Sequence, residues 1–245
     1  MIAIDIGNTS LHFVWMNEKG SITKIKRMPT QEVTINKLNE IFSKYKQEKI
    51  VVCSVVPRIT AMFRKIKKEF AVNLYIVGQD IKVPIKSLYN RRHIGMDRLV
   101  AAYAAKRIYN DARIIIDFGT AITFDILSRD GSYEGGLILP GLGSTLKVLS
   151  SCALLPRKIK VHKTAISVPK DTKDSINRGI TEGFASMLNS LIEKYKKILK
   201  LKINTKVIIT GGDAKFILQG LESPVIFDQF LVMKGLRLLA EKTIG

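Results

Sequence analysis

The chain has 245 residues, 46% of them hydrophobic, and carries a net charge of +19. That is enough apolar material for one large domain or two small ones, and no window reaches the roughly 18 apolar residues of a membrane span. The only cysteines, Cys53 and Cys152, lie far apart at no metal-ligand spacing; this excludes a disulfide scaffold and predicts free, buried or half-buried thiols.

The N-terminus runs straight into a strand pattern with no leader-like basic and apolar regions, so a cytoplasmic location is the expectation. The positive charge permits anionic partners, but it is dispersed. Its densest runs, residues 64–68 and 193–197, have helical spacing between apolar residues and read as solvated helix faces. No helix-turn-helix pattern and no basic stripe interleaved with aromatics occurs, so neither nucleic acid nor a membrane is an expected partner.

In chain order, Ile2, Ala3 and Ile4 predict a strand that ends in Asp5, Ile6, Gly7, Asn8 and Thr9. Leu11, Phe13 and Trp15 then alternate with His12 and Val14, a second strand. Asn17 to Gly20 forms a hairpin turn and residues 21–28 a returning strand. A helix is expected over 34–45, a strand over 50–56 ending at Pro57, an amphipathic helix over 59–70, and a short strand over 74–77. Residues 81–89 read as extended because Pro84 opposes a helix. An Ala-rich helix spans 99–109, and the boundary between two halves, 1–110 and 111–245, falls after it.

The second half repeats the first. Ile114, Ile115 and Ile116 form a buried strand ending in Asp117, Phe118, Gly119 and Thr120, after which Ile122, Phe124 and Ile126 alternate with Ala121, Thr123 and Asp125. Two copies of a strand–Asp–x–Gly–(x)–Thr–strand pattern point to an internal duplication. A glycine-rich stretch over 133–143 leads to a helix over 144–153, with Ser144 as its cap. Residues 154–169 read as loop with some extended structure. A long helix is expected over 172–195, capped by Asp171 or Thr172, with Gly179 and Gly183 on one face for close packing. Val207, Ile208 and Ile209 form a strand that enters Thr210-Gly211-Gly212-Asp213, and a helix over 227–242 closes the chain. The whole reads as two α/β halves.

Glycine-bearing turns after apolar strands supply backbone N–H groups to phosphates. The chain has three, yet neither the P-loop nor the Rossmann fingerprint occurs. A carboxylate at a buried strand end is costly without a cation or a phosphate complex to offset it.

These motifs resemble type III pantothenate kinase, in the acetate kinase–sugar kinase–Hsp70–actin superfamily. The resemblance rests on Asp5 to Thr9 (D-x-G-N-T), Ser54-Val55-Val56-Pro57, Gly95-Met96-Asp97-Arg98 (G-x-D-R), Asp117 to Thr123 (D-x-G-T-A-x-T), the run Gly135 to Gly141, and Thr210 to Ala214. It implies two duplicated ribonuclease-H-like (actin-like ATPase) domains, each a mixed sheet flanked by helices. It further implies ATP-dependent phosphorylation of pantothenate to 4'-phosphopantothenate, the first step of coenzyme A biosynthesis.

Residue by residue, the resemblance makes Asp97 the general base and Asp5 the holder of the Mg²⁺–phosphate complex. Ile6, Gly7, Asn8, Thr9, Ser10, Leu11 and His12 complete the phosphate stretch, His12 standing where the family has Lys, and Thr120 contacts ATP. Asp117 is the ligand of a monovalent cation, K⁺ or NH₄⁺. Tyr89, Gly95, Met96 and Arg98 would contact pantothenate, although the proline usual after Tyr89 is absent here. Thr172 would reach the substrate from the partner subunit of a homodimer, with the helix over 172–195 a candidate dimer surface. Two alternatives stay open on sequence: a regulatory binding protein, and a superfamily kinase or phosphatase acting on another small alcohol.

Overall fold

The computed structural model describes residues 1–70, 72–152, 161 and 168–244. The loop expected over 154–169 lies mostly outside the described residues. The chain divides into two compact units, one of Met1–Ile108 together with the segment from Phe230 on, the other Tyr109–Gln229.

The first unit contains a five-stranded sheet built from β1 (Ile2–Ile6), β2 (Ser10–Met16), β3 (Ile22–Pro29), β4 (Ile50–Ser54) and β5 (Leu74–Ile76), in the order β3-β2-β1-β4-β5. β1 pairs antiparallel with β2 and parallel with β4. One sheet face carries Ile2, Ile4, Ile6, Leu11, Phe13, Trp15, Ile50 and Val52, buried with Leu38, Phe42, Ile59, Phe63 and Ile66 from α1 (Ile35–Ser43) and α2 (Pro57–Phe70). Fully burying side chains of this size stabilises by about 1.5–3 kcal/mol each. Thr34 caps α1 by accepting from the Lys37 N–H at 3.3 Å, and Pro57 opens α2, where its missing N–H costs nothing.

The second unit repeats this plan with β6 (Ile114–Phe118), β7 (Ala121–Leu127), β8 (Tyr133–Pro140), β9 (Val207–Thr210) and β10 (Val225–Phe227), in the order β10-β9-β6-β7-β8. The pairings correspond strand for strand: β6 is antiparallel to β7 and parallel to β9. Its core joins Ile114, Ile116, Phe118, Ile122 and Phe124 to Leu188 and Ile192 of α5 (Thr172–Ile198) and to Leu142 and Leu146 of α4 (Leu142–Ser150). Tyr109, the first residue of this unit, donates to Asp228 near its end at 2.9 Å.

Several expectations need correction. The closing helix α6 (Leu231–Ile244) was grouped with residues 111–245, but it packs in the first unit, on β1, β4 and α3 (Met96–Ile108). The reason is a sheet face lined with small side chains, Ala3, Val51 and Cys53, which α3 and α6 cover. Gly235 of α6 lies so close to α3 that a Cβ there would sit 2.7 Å from Val100. Phe227, expected to open that helix, instead ends β10 (Val225–Phe227). Ser144 does not cap α4: Gly141 is at the cap with no side-chain bond, and Ser144 Oγ donates to the Thr120 carbonyl at 2.7 Å. The cap of α5 is Asp171, which accepts from the Asp174 N–H at 2.9 Å. Lys196 is not on a solvated face but buried, donating to the Ile203 carbonyl at 2.6 Å and Ser223 Oγ at 3.1 Å. Cys53 is buried as expected, whereas Cys152 is exposed. Gly179 and Gly183 have nothing within 4 Å of a built Cβ, so no packing among the described residues uses them.

Candidate active site

In the first unit the turn Gly7-Asn8-Thr9 joins β1 to β2. It is closed by the Gly7 N–H on the Ser10 carbonyl at 3.1 Å. Asn8 and Thr9 are exposed; Asp5, Gly7, Ser10 and His12 are half-buried; Ile6 and Leu11 are core residues. Ile6 and Leu11 therefore frame the turn from below, and the polar residues face out. The turn is braced from behind by buried Thr30, whose Oγ1 donates to the Gly7 carbonyl at 2.7 Å and whose N–H donates to the Thr9 carbonyl at 3.0 Å. Arg58 in turn donates to the Thr30 carbonyl at 3.1 Å. Neither Thr30 nor Arg58 stands in a recognisable motif; their roles arise from chain separations of more than 20 residues.

Asp97 lies in the first turn of α3, and Arg98 donates its backbone N–H to the Asp97 carboxylate at 2.8 Å. Gly95 makes that placement possible, because a Cβ there would sit 2.4 Å from Asp97 Oδ1. Burial pushes the Asp97 pKa above the ordinary carboxylate range, against the opposing pull of the Arg98 N–H and guanidinium. Asp5 and Asp97 both face Cys53, the β4 residue in register with Asp5. Burial first, then these two carboxylates, hold the Cys53 thiol well above its usual value. The thiol is thus buried and neutral, inert as a nucleophile. The structure brings Asp5, Cys53 and Asp97 together; sequence reading named the two acids but not the cysteine near them.

Met96 opens α3 and its sulfur packs toward Gly78. Tyr89 lies in an irregular segment and is 44% exposed, so it is not a packed strand-end tyrosine. His12 Nε2 lies 3.0 Å from Ser10 Oγ. Burial, and then the charge of Arg27, lower its pKa below the ordinary 6.5, which keeps the imidazole neutral at neutral pH.

In the second unit Asp117, next to last in β6, is half-buried, and Gly119 and Thr120 form a two-residue, exposed turn. Gly141 donates its N–H to the Thr120 carbonyl at 3.1 Å, and Asp213 to the Phe118 carbonyl at 3.3 Å. Gly211 has φ +93°, and a Cβ there would lie 2.5 Å from Asp117 Oδ1 and 2.4 Å from the Phe118 carbonyl oxygen. The third glycine turn is therefore pressed against the Asp117 hairpin, a crowding of carboxylate and carbonyl oxygens in a cradle that any side chain would fill. Thr172 opens α5 and is exposed.

Among the described residues no group of three His, Cys, Asp or Glu side chains is arranged to hold a metal ion. Mg²⁺ that travels with a nucleotide requires one or two carboxylates and keeps its own waters; Asp5, beside an N–H-lined turn, fits that donor set. The oxygens around Asp117 fit a cation with looser geometric demands. A cavity of about 510 Å³ in the first unit, lined by Pro84, Tyr103, Lys106, Arg107, Leu238, Glu241 and Lys242, contains none of these residues.

Two mixed five-stranded sheets of matching order, each opening on an Asp–x–Gly hairpin, define a duplicated ribonuclease-H-like fold of the actin-like ATPase and sugar kinase type. Solved structures bear this out. A ROK family glucokinase from Streptomyces griseus in complex with glucose and AMPPNP aligns with TM-score 0.62 at 11% identity, covering 99% of both chains. A Campylobacter jejuni protein described as a Baf family transcriptional activator aligns with TM-score 0.65 at 22% identity, covering 100% of this chain and 99% of its own. At such identities these likenesses show the fold alone.

Sequence comparison is more specific. The family model for type III pantothenate kinase matches residues 1–194. A type III pantothenate kinase of Sulfurihydrogenibium sp. (strain YO3AOP1) is 36% identical over 251 residues, covering 98% of each chain. One of Persephonella marina is 36% identical over 249 residues, covering 96% of each. The chain belongs to the type III pantothenate kinase family, and it is accordingly a kinase, a phosphotransferase enzyme. None of its described helices is long and apolar enough to cross a membrane.

Proposed function

We propose that this chain transfers the γ-phosphoryl group of ATP to the primary hydroxyl of pantothenate, giving 4'-phosphopantothenate and ADP and so opening coenzyme A biosynthesis. The observation that carries this reading is a buried carboxylate with a raised pKa, Asp97, at the start of α3, together with the carboxylate Asp5 on a phosphate-type hairpin, both near enough to Cys53 to raise its thiol. A primary alcohol is a weak nucleophile, so a positioned base lowers the barrier. Asp97 accepts the hydroxyl proton as the oxygen–phosphorus bond forms in line with the breaking bond to the ADP oxygen. Its raised pKa brings it closer to the operating pH, where a base works best.

Asn8, Thr9 and Ser10 hold the phosphates through N–H and hydroxyl donors on the turn that Gly7 opens, and His12 completes that stretch as a neutral polar side chain. Asp5 holds Mg²⁺ and Asp117 holds K⁺ or NH₄⁺; the cations offset phosphate charge. Thr120 contacts the nucleotide. Arg98 pairs with the pantothenate carboxylate, with Gly95, Met96 and Tyr89 lining the same end. We also propose a cytoplasmic homodimer in which Thr172 serves the partner's substrate. The test is a coupled ADP-release assay with pantothenate, Mg²⁺ and K⁺. Saturable, pantothenate-dependent ADP release is expected; turnover only with a different alcohol would replace this reading with that of another superfamily kinase.

A further inference from the structure

The β1–β2–β3 register places Asp5 opposite His12 and His12 opposite Arg27. Residues opposite one another in adjacent strands project from the same sheet face, so a polar row crosses a sheet whose other face is apolar core. Arg27 Nε–H donates to Ser10 Oγ at 3.1 Å. Ser10 Oγ lies 3.0 Å from His12 Nε2. Ser10 Oγ thus bridges Arg27 and His12, accepting from the guanidinium.

This arrangement consumes only the Nε–H of the guanidinium. Among the described residues, the terminal amino groups of Arg27 make no hydrogen bond and its charge meets no carboxylate. Lys24 of β3, opposite Trp15 and so on the other face, is engaged differently, with Tyr45 Oη at 3.3 Å and the Trp15 ring at 4.9 Å. An arginine locked at its Nε presents the planar fork that binds phosphate oxygens bidentately, at the mouth of a turn with outward-facing polar groups.

We infer that Arg27 is a binding residue for the polyphosphate of the nucleotide, held in place by Ser10 and His12. The inference rests on the reading that the first hairpin takes ATP. The alternative is a strand tie, in which Arg27 serves Ser10 only.

The two are separated by Arg27→Gln and Arg27→Lys, with MgATP affinity measured by calorimetry, KM measured for both substrates, and melting temperature recorded. The proposal expects Arg27→Gln to bind MgATP about tenfold more weakly, the loss of a charge-assisted contact. KM for pantothenate should stay within about twofold and the melting temperature within about 2 °C, as for an exposed site. Arg27→Lys should recover part of the affinity, because the charge persists without the fork. Wild-type MgATP affinity in Arg27→Gln overturns the proposal while leaving the hairpin reading standing. A lowered melting temperature with both KM values raised alike, unrelieved in Arg27→Lys, overturns it in favour of the strand tie. A wild-type enzyme that binds no MgATP overturns both readings.

Discussion

The two hairpins of this duplicated chain have the same strand plan and even the same burial pattern along their strands, but they differ where it matters for chemistry. The first turn holds three residues, Gly7, Asn8 and Thr9, and is followed across the sheet by His12 and Arg27. The second holds two, Gly119 and Thr120, and is followed by Thr123 and Ile138. The hairpin glycines themselves have alike room, a Cβ on Gly7 meeting only the Ser10 carbonyl at 3.5 Å and one on Gly119 only the Ala121 carbonyl at 3.4 Å; the difference lies in what presses on the turn. The second is clamped by Gly211 from one side and by the start of α4 from the other. A longer, polar, open turn beside Asp5 suits phosphates; a short, oxygen-crowded turn beside Asp117 suits a bare cation. Duplication supplied the scaffold, and small changes in turn length and cross-strand neighbours divided the labour.

The largest expected effect lies in the first unit. Asp97→Asn should reduce turnover by about 10²–10⁴, the usual worth of a general base, with little change in either KM. It should not cost stability. The folded-state pKa of Asp97 is raised, so between the ordinary carboxylate value and that raised value the folded state binds the extra proton. The contribution of Asp97 to stability therefore falls as pH rises through that window, and a neutral isostere removes the loss. Asp97→Asn should melt no lower than wild type at neutral pH; a lower melting temperature would recast Asp97 as a structural residue of α3.

Glycine substitutions sharpen the contrast next. Gly211→Ala meets backbone at under 2.6 Å and adopts a left-handed φ, so a loss of about 2 kcal/mol or more is expected, read as a melting temperature lower by at least about 4 °C. Gly7→Ala has space and should leave the melting temperature nearly unchanged while weakening MgATP, because a phosphate, not protein, needs the gap. Equal melting losses in both would erase the distinction between an open and a clamped hairpin.

A subtler effect is the acid limb of kcat/KM for pantothenate. Activity falls when the base is protonated, so the limb should lie above the ordinary carboxylate range and disappear from the residual activity of Asp97→Asn. The smallest is chemical: under native conditions a thiol reagent should modify exposed Cys152 and spare Cys53, whose buried thiol stays protonated. Modification of Cys53 would contradict its burial near the two acids.

Much of this architecture was legible in sequence because the patterns are local. The Asp–x–Gly hairpins, the alternation over β2 and β7 and the isoleucine run of β6 each announce themselves within about 15 residues. The unread parts depend on distant chain. Thr30, Arg27 and Cys53 join the first cluster only through strand registers and loop contacts that no spacing rule encodes. The closing helix follows the second half in sequence but covers the small-residue face of the first sheet. Three-residue β10 is too short for periodicity to separate it from a helix start. Lys196 looked solvated because its helix spacing is right, yet a carbonyl and a serine offer its ammonium partners in the interior.

The division of labour is tested most directly by titrating K⁺ against turnover, at saturating Mg²⁺, ATP and pantothenate, in the wild type and in Asp117→Asn. The account predicts that K⁺ activates the wild type well beyond Na⁺ and that Asp117→Asn loses this response. An equal K⁺ response in both proteins, or none in the wild type, would contradict it.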